Sequence, residues 1–285
     1  MKARVAGSGP PVVFLHGIPT SGRLWDLVTE RLQRSFTCVA VDLPGFGETP
    51  PPCDGSRDPR HYAEEVDRVR ARLQFDAWHV VGHDAGATIA VHYATTFRER
   101  VNRVVLCSPP VFPEFRVPWF FRLMRSRVIG DAVAPIVSWA LWRNGIYSAI
   151  ERRDASIPPI VDAFHRPFAG YGGVRHFLSM LRWGQPGEVL ARTAAALPLI
   201  TSPTLVLHGL RDGAIPRAFA ERAAAVIPNA RARLLSCGHF VPLDLPDEFC
   251  HIVEPFLTGV VRVAPSLTTA VKPSPLANPE SRALP

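Results

Sequence analysis

Long apolar runs are absent from this sequence of 285 residues. No stretch reaches the roughly 18 uninterrupted apolar residues that cross a bilayer, and the N-terminal MKARVAGSGPP lacks the apolar core of a secretory signal. We therefore expect a soluble, cytoplasmic protein with no membrane partner. With 47% hydrophobic and 20% charged residues, the chain suffices for one large α/β domain with an insertion or for two small domains.

Cysteine pairs are absent as well. The five cysteines are scattered and show no C-x-x-C spacing: Cys38, Cys53, Cys107, Cys237 and Cys250. This pattern excludes a disulfide framework and a cysteine-based zinc site, and it indicates buried thiols in a reducing compartment. We expect neither a metal nor a cofactor.

A basic surface stripe is also missing, although the net charge is +7. The basic residues are nearly all arginines interleaved with acids, as in HYAEEVDRVRARL over 61–73. Because no basic run alternates with aromatic residues, nucleic acid is not an expected partner. A monomer and a homodimer both remain open.

The sequence does contain a regular alternation of short buried strands and helical segments. Runs rich in valine, isoleucine and leucine lie within 10–17, 36–47, 78–86, 101–110, 202–213 and 230–239. Strands that are apolar on both faces and separated by helices predict a mostly parallel, doubly wound α/β sheet covered on both sides.

The alternation stops at Pro110. From 111 to 197 the sequence is rich in aromatic residues and proline, with helical pieces such as GGVRHFLSMLRW. We predict an α/β core built from 1–110 and 198–262 and interrupted by a helical insertion over 111–197. The Pro/Ser-rich segment 263–285 has no periodicity and is predicted to be a disordered tail.

The stretch HVVGHDAGATIA, residues 79–90, predicts a strand, a sharp turn and a helix. In a G-x-S-x-G turn the central residue is normally a nucleophilic serine, and here it is Asp84 between Gly82 and Gly86. The glycines are needed because strand and helix pack closely, and the helix N-terminus favours an ionised carboxylate. The alternative is that Asp84 only caps the helix.

Two more polar residues follow predicted strands. Asp212 in LRDG comes after one buried strand, and His239 in SCGHFVPLDLP lies in the loop after the last one. Each alone is an ordinary turn or loop residue. Together with Asp84 they follow the order nucleophile, acid, histidine that is typical of α/β-hydrolases.

The chain resembles the α/β-hydrolase family over about 1–260. HGIPTSGRLW resembles the H-G-x-P oxyanion loop, and VDLPGFGET resembles the D-x-x-G-x-G loop. GHDAG resembles the aspartate elbow of epoxide hydrolases, haloalkane dehalogenases and fluoroacetate dehalogenases. The resemblance implies an α/β-hydrolase fold with a helical cap, in which His16 and Asp42 hold loops together.

The resemblance also implies a role for each candidate catalytic residue. Asp84 would be the nucleophile, His239 the base and Asp212 the acid that orients it. The backbone N–H groups of Ile18 and Ala85 would form the oxyanion hole.

Relatives usually begin with a β-hairpin before the oxyanion-loop strand. Only KARVAGSGP precedes that strand here, so the first strand of the hairpin is expected to be missing. The sheet would then have one strand fewer than in these relatives.

A carboxylate nucleophile selects the reaction. Attack on an ester would give a mixed anhydride, whereas attack on an sp³ carbon with a leaving group gives an alkyl ester. His239 would then activate water to hydrolyse that ester, and the oxyanion hole would stabilise the step. The expected substrate is a small molecule with an epoxide or a carbon–halogen bond, and the many cap aromatics favour a bulky apolar or aromatic one.

The residues at the positions where dehalogenases bind the leaving halide favour the epoxide, because they differ from those that dehalogenases carry. Haloalkane dehalogenases usually have a tryptophan directly after the nucleophile and often an asparagine after H-G, where this chain has Ala85 and Ile18. Fluoroacetate dehalogenases have an arginine after the nucleophile. The leading hypothesis is an epoxide hydrolase that forms a vicinal diol, and the alternative is a haloalkane or haloacid dehalogenase. A non-catalytic binding protein is a third possibility, against which the Asp212 and His239 pair argues.

An epoxide oxygen needs a proton donor, and epoxide hydrolases resemble one another in using cap tyrosines. The predicted substrate-binding residues are Tyr147, Tyr171 and Trp183, with His165 and His176 as substitutes. Equally, both tyrosines fit a packing role with the polar tip outward.

Overall fold

A seven-stranded sheet forms the centre of the part of the chain that the computed structural model describes, namely residues 1–52, 58–117, 119–126, 128–130, 140–181 and 186–260. The strands are β1 (Lys2–Ala6), β2 (Pro11–Leu15), β3 (Thr37–Asp42), β4 (Trp78–His83), β5 (Val101–Cys107), β6 (Thr204–Gly209) and β7 (Ala230–Leu235). Their order is β1-β3-β2-β4-β5-β6-β7, and every pair is parallel except β1 with β3. This confirms the predicted mostly parallel sheet.

Helices flank this sheet and fill the interval between β5 and β6. The described helices include α1 (Asp26–Leu32), α2 (Pro59–Arg72), α3 (Ala85–Thr96), α4 (Trp119–Arg125), α5 (Ala140–Ala149), α6 (Ile157–His165), α7 (Gly170–Leu181), α8 (Pro186–Ala196), α9 (Arg217–Val226), α10 (Val241–Asp244) and α11 (Pro246–Thr258). Helices α4 to α8 lie in the segment predicted as a helical cap, whose limits of 111–197 stay a prediction. The predicted tail over 263–285 lies outside the described residues.

The core explains why the strand runs are apolar throughout. All six residues of β4 and of β6 are buried, because neighbouring strands and helices cover them on every side. The largest fully buried side chains include Trp25, Trp78 and Tyr93. The four described cysteines are buried and free, and Cys53 lies outside the described residues. None of the helices described above combines the length and the hydropathy needed to span a bilayer.

The N-terminal strand β1 is a feature that the sequence analysis did not assign. Lys2–Ala6 pairs antiparallel with β3, from Lys2 opposite Asp42 to Ala6 opposite Cys38. Because it is a short edge strand with an exposed Val5, it lacks the apolar run of the central strands. Among the described residues, β1 is the strand that precedes β2.

The parallel strands bring several loops to one edge of the sheet. The segments after β2, β4, β6 and β7 all leave the carboxyl ends of parallel strands. α/β sheets bind their ligands at this edge, and it is where Asp84, Asp212 and His239 lie.

Candidate active site

The turn after β4 holds Asp84 in a rarely adopted backbone conformation. Its φ is 52° and its ψ is −122°, a region that is costly for a residue with a Cβ atom, and its N–H donates to the carbonyl oxygen of Cys107 at 3.0 Å. A Cβ atom on Gly82 would lie 2.4 Å from the oxygen of Gly86, and one on Gly86 would lie 2.3 Å from the oxygen of Leu15. Both glycines are therefore required for this turn.

Two backbone N–H groups contact the Asp84 carboxylate. Oδ1 accepts from the N–H of Ile18 at 3.1 Å, and the N–H of Ala85 also bonds to the carboxylate. Burial raises the pKa of Asp84, and the charge of His239 and the two N–H groups offset this only in part. The side chain is 17% exposed, so a ligand in the adjoining cavity can reach it.

Asp212 and His239 form a buried hydrogen-bonded pair. His239 Nδ1 lies 2.8 Å from Oδ2 of Asp212, and Oδ1 of Asp212 accepts from the N–H groups of Ala214 and Ile215 at 2.8 and 2.9 Å. Burial raises the pKa of Asp212, but its bond to His239 and the charge of that ring outweigh burial and hold the pKa below its usual range. Because the carboxylate is ionised, Nδ1 carries the proton, and Nε2 points elsewhere.

The opposite edge of the His239 ring, which carries Nε2, is turned toward Asp84. Nε2 lies 3.9 Å from Oδ2 of Asp84, which is beyond direct hydrogen-bond range. Burial lowers the pKa of His239, but the hydrogen bond and charge of Asp212 and the charge of Asp84 raise it above its ordinary value. The structure thus brings together the three predicted catalytic side chains, an arrangement suited to nucleophilic catalysis.

A cavity of about 960 Å³ opens above these residues. Its lining includes Asp84 and His239, and most of the remaining wall is apolar, with Ile146 and Leu181 among the cap residues. A second cavity of about 10 Å³ adjoins it, because both share the side chains of Ile18, Ala85 and Met180. The site is a large apolar chamber whose wall includes the side chains of Asp84 and His239.

The sequence matches a known protein family. Residues 10–246 fit the family model for the alpha/beta hydrolase fold. The chain belongs to the α/β-hydrolase family.

Similar proteins include haloalkane dehalogenases and an epoxide hydrolase. Haloalkane dehalogenase 2 of Mycobacterium tuberculosis is 29% identical over 267 residues, which cover 88% of this chain and 89% of that one. Soluble epoxide hydrolase of Corynebacterium sp. strain C12 is 30% identical over 257 residues, which cover 85% and 87%. Haloalkane dehalogenase DbeA from Bradyrhizobium elkani matches in structure with a TM-score of 0.76 at 23% identity, covering 90% and 94%, and shows the fold alone.

Two polar residues of this α/β-hydrolase hold the loops around the oxyanion positions. His16 donates from Nδ1 to the oxygen of Gly17 at 2.8 Å and accepts at Nε2 from the N–H of Leu43 at 3.0 Å. Burial lowers the pKa of His16 to about 4, so the ring is neutral. Asp42 accepts from two loop N–H groups, those of Gly22 and Glu48. These contacts agree with the expected loop-holding role.

His83 and Ser108 are site residues that sequence reasoning missed. His83 Nε2 donates to the carbonyl oxygen of His239 at 3.0 Å, and the Ser108 hydroxyl donates to the same oxygen at 3.3 Å. Burial, followed by the charge of His239, lowers the pKa of His83 to about 3, so a neutral ring fixes the backbone of His239. The only sequence signal was the position of His83, directly before Asp84.

The predicted leaving-group donors do not gather at the cavity. Tyr147 is not among the residues that line it, and its ring packs 4.8 Å from the guanidinium of Arg153. The side chain of Tyr171 and all of Trp183 lie outside the described part of the chain. Of the two substitutes, His165 is buried and His176 donates to the oxygen of Gly45 at 2.6 Å, and neither lines the cavity.

Three described polar side chains of the predicted cap segment do line the cavity. Arg125 donates to the oxygen of Leu181 at 2.7 Å, and Ser148 donates to the oxygen of Gly145 at 2.8 Å. The third is Glu151, which takes part in the contacts described below. Sequence patterning gave no sign that these residues would face the cavity.

Proposed function

We propose that this α/β-hydrolase opens an epoxide to a vicinal diol through an alkyl ester on Asp84. The observation that carries the proposal is the placement of one carboxylate between two backbone N–H groups and an imidazole. Oδ1 of Asp84 accepts from the N–H of Ile18, the N–H of Ala85 also bonds to this carboxylate, and Oδ2 faces Nε2 of His239. Attack by a carboxylate on an sp³ carbon gives an alkyl ester, whereas attack on an acyl group gives a mixed anhydride.

The first step joins a carboxylate oxygen of Asp84 to an epoxide carbon. The carbon–oxygen bond of the ring breaks, and the oxygen that leaves takes up a proton from a donor or from water. Asp84 loses its negative charge in this step, and His239 is not needed for the bond that forms. The product of the step is a neutral alkyl ester in a largely apolar chamber.

The second step hydrolyses that ester. His239 accepts a proton at Nε2 from a water molecule whose oxygen attacks the carbonyl carbon of Asp84. The negative charge that develops on the carbonyl oxygen is stabilised by the N–H groups of Ile18 and Ala85. When the tetrahedral intermediate collapses, the bond to the alkyl oxygen breaks and His239 returns its proton to that oxygen, so that the diol leaves. The carboxylic acid of Asp84 then gives up its proton, which replaces the one taken up in the first step, while Asp212 keeps the imidazole oriented.

The surroundings of the nucleophile support an epoxide over a halide. Haloalkane dehalogenases resemble one another in carrying side-chain N–H donors at two positions, which in this chain are Ile18 and Ala85. Both residues border the same small cavity. That cavity is otherwise lined by Leu43, Phe46, Tyr62, Ile89 and Met180. The side chains of Ile18 and Ala85 give a departing halide no hydrogen bond, whereas an epoxide oxygen depends on a donor located elsewhere.

The substrate class follows from the chamber. Its volume and apolar wall fit a bulky apolar or aromatic epoxide better than a small charged one. The proton donor in this proposal is Tyr171 or Trp183. Tyr147 does not meet the cavity and is not retained for this role.

The test is turnover of a panel that pairs epoxides with bromo- and chloroalkanes of the same carbon skeleton. We expect diol from the epoxides and no halide release, and no turnover by Asp84→Ala. Halide release without diol formation supports the dehalogenase alternative. A variant without Asp84 that keeps the rate of the parent protein contradicts the nucleophile, and binding without turnover supports a non-catalytic protein.

A further inference from the structure

A third carboxylate, Asp244, lies between the cap segment and the loop that carries His239. It ends α10, five positions after His239 in the sequence. Its Oδ1 accepts from the N–H groups of Glu151 and Arg152 at 2.7 and 3.2 Å, and its Oδ2 accepts from the N–H of Gly238 at 3.3 Å. One side chain therefore ties the residues after α5 to the residue directly before His239.

A charged pair makes a parallel connection. Both carboxylate oxygens of Glu151 accept from Arg211, at 2.7 Å from Nε and 2.6 Å from Nη2. Arg211 directly precedes Asp212, and it also donates to the hydroxyl of Ser236 at 2.9 Å and to its backbone oxygen at 2.5 Å. Glu151 is thus joined through its backbone to the His239 loop and through its side chain to the Asp212 loop.

The packing around this junction leaves little room for movement. A Cβ atom on Gly238 would lie 3.1 Å from the oxygen of Ala149 and 3.4 Å from Oδ2 of Asp244. Ala149, Glu151 and Gly238 all line the large cavity beside His239. A shift of the segment 149–152 would consequently move both the cavity wall and the backbone of the base.

We propose that Asp244 is a positioning residue that fixes His239 for ester hydrolysis by holding Gly238 against the cap residues Glu151 and Arg152. This inference rests on the proposed ester cycle. The two steps of that cycle differ in their need for His239, because attack by Asp84 proceeds without a base and ester hydrolysis requires one. Loss of Asp244 should therefore slow the second step and leave the first.

The test compares the two rates in Asp244→Asn, which keeps the volume of the side chain, and in Asp244→Ala. Quenched-flow mixing with an epoxide that the parent consumes gives the rate of ester formation, and intact mass gives the fraction of protein held as ester. We expect ester formation within about threefold of the parent. We expect hydrolysis to fall at least about tenfold, since small misplacements of a catalytic group have large effects. The ester should then accumulate.

Asp247→Asn is the matched control. This substitution removes the same charge three positions later in the chain, but the side chain of Asp247 is 77% exposed and pairs with Arg31. We expect parent rates for both steps. Glu151→Gln loosens only the contact with Arg211 and should slow hydrolysis less than Asp244→Asn does.

The pH dependence of ester hydrolysis separates two effects of Asp244 on His239, namely holding the ring in position and raising its pKa by charge. The charge of Asp244 also raises the pKa of His239, so its loss alone would shift the acid limb of hydrolysis and leave the plateau at higher pH unchanged. A positioning role lowers that plateau. A plateau equal to that of the parent in Asp244→Asn overturns the inference, and so does an equal loss in both rates.

The experiment also separates this inference from the proposed function. His239→Gln should hold the ester with the same epoxide. If it does and both Asp244 variants hydrolyse the ester as the parent does, only the role of Asp244 fails. If His239→Gln holds no ester, the ester cycle itself fails, and the positioning role fails with it.

Discussion

His239 lies between two carboxylates that behave differently in the proposed cycle. Asp212 keeps its charge throughout, whereas Asp84 loses its charge when the alkyl ester forms. Both charges raise the pKa of His239 in the free protein. Ester formation should lower that pKa at the stage where a neutral imidazole is required.

We therefore predict that ester hydrolysis has an acid limb at lower pH than the titration of His239 in the free protein. Below its midpoint the ring is protonated and cannot accept a proton from water, so the rate falls as the pH falls. Single-turnover decay of the ester between about pH 5 and 9 gives one midpoint, and NMR of the free protein gives the other. Coincident midpoints would argue against loss of the Asp84 charge.

At this scale the sequence locates the candidate catalytic side chains but not the residues that support them. Asp84, Asp212 and His239 each follow a strand, so the parallel sheet alone brings them to one edge. Tyr147 is not among the residues that line the cavity although its neighbours Ile146 and Ser148 are, so the position of a residue around its helix decides whether it meets the cavity. No periodic pattern marks which face of a short cap helix meets the cavity.

The contact between α3 and β2 is the element-level feature on which the reactive turn depends. Gly86, in the first turn of α3, lets that helix approach the carboxyl end of β2 so closely that a Cβ atom would lie 2.3 Å from the oxygen of Leu15. The same approach brings Gly17 next to Asp84, since a Cβ on Gly17 would lie 2.5 Å from Cβ of Asp84. The loop after β2 and the proposed nucleophile Asp84 are therefore placed by one packing contact.

Gly86→Ala should consequently destabilise the fold by at least about 3 kcal/mol, because backbone atoms must move apart to admit the methyl group. Gly187→Ala is the matched control, since Gly187 lies in α8 with no atom within 4 Å of a built Cβ. That change should be neutral or stabilise by up to about 1 kcal/mol. Urea unfolding measures both, and equal effects would contradict the close packing of α3 on β2.

The elements themselves were predictable where burial is uniform. The central strands show as apolar runs because both faces are covered, as for β4 and β6. The edge strand β1 was not assigned because half-exposed residues such as Val5 leave no such run. Its pairing with β3 is a long-range contact that carries no local signal.

Across the whole molecule, several buried histidines are held neutral. Burial is the leading cause in each case, and it lowers the pKa of His16, His79 and His92 to about 4 and that of His83 to about 3. An unfolded chain would bind a proton at each of these side chains near the ordinary value of about 6.5. Between these values the unfolded state holds more protons than the folded state.

The free energy of unfolding should therefore fall as the pH falls from about 6.5 toward 4. At pH 5 each such histidine costs up to about 2 kcal/mol, and His239, whose pKa is raised, opposes this trend. Denaturant unfolding across that range measures the slope. In His79→Gln the slope should decrease by about 1.4 kcal/mol per pH unit, and a slope as steep as that of the parent would contradict the account.

The contacts that complete the site join residues far apart in the chain. His83 and Ser108 meet the backbone of His239, and Asp244 meets Glu151 and its neighbour, across separations that no motif spans. Such contacts arise from the packing of several elements at once. The sequence consequently predicts the reacting groups and the sheet edge that collects them, but not the shell that orients them.

Isotope labelling in a single turnover tests the ester on Asp84 most directly. With the protein in excess over the epoxide in H₂¹⁸O, water should place ¹⁸O in the carboxylate of Asp84, and the diol should retain ¹⁶O from that side chain. Tryptic peptide 73–98 contains Asp84 and also Asp76, which serves as an internal control. Label on Asp84 alone is the predicted result, and ¹⁸O that enters the diol in the first turnover with an unlabelled Asp84 would contradict it.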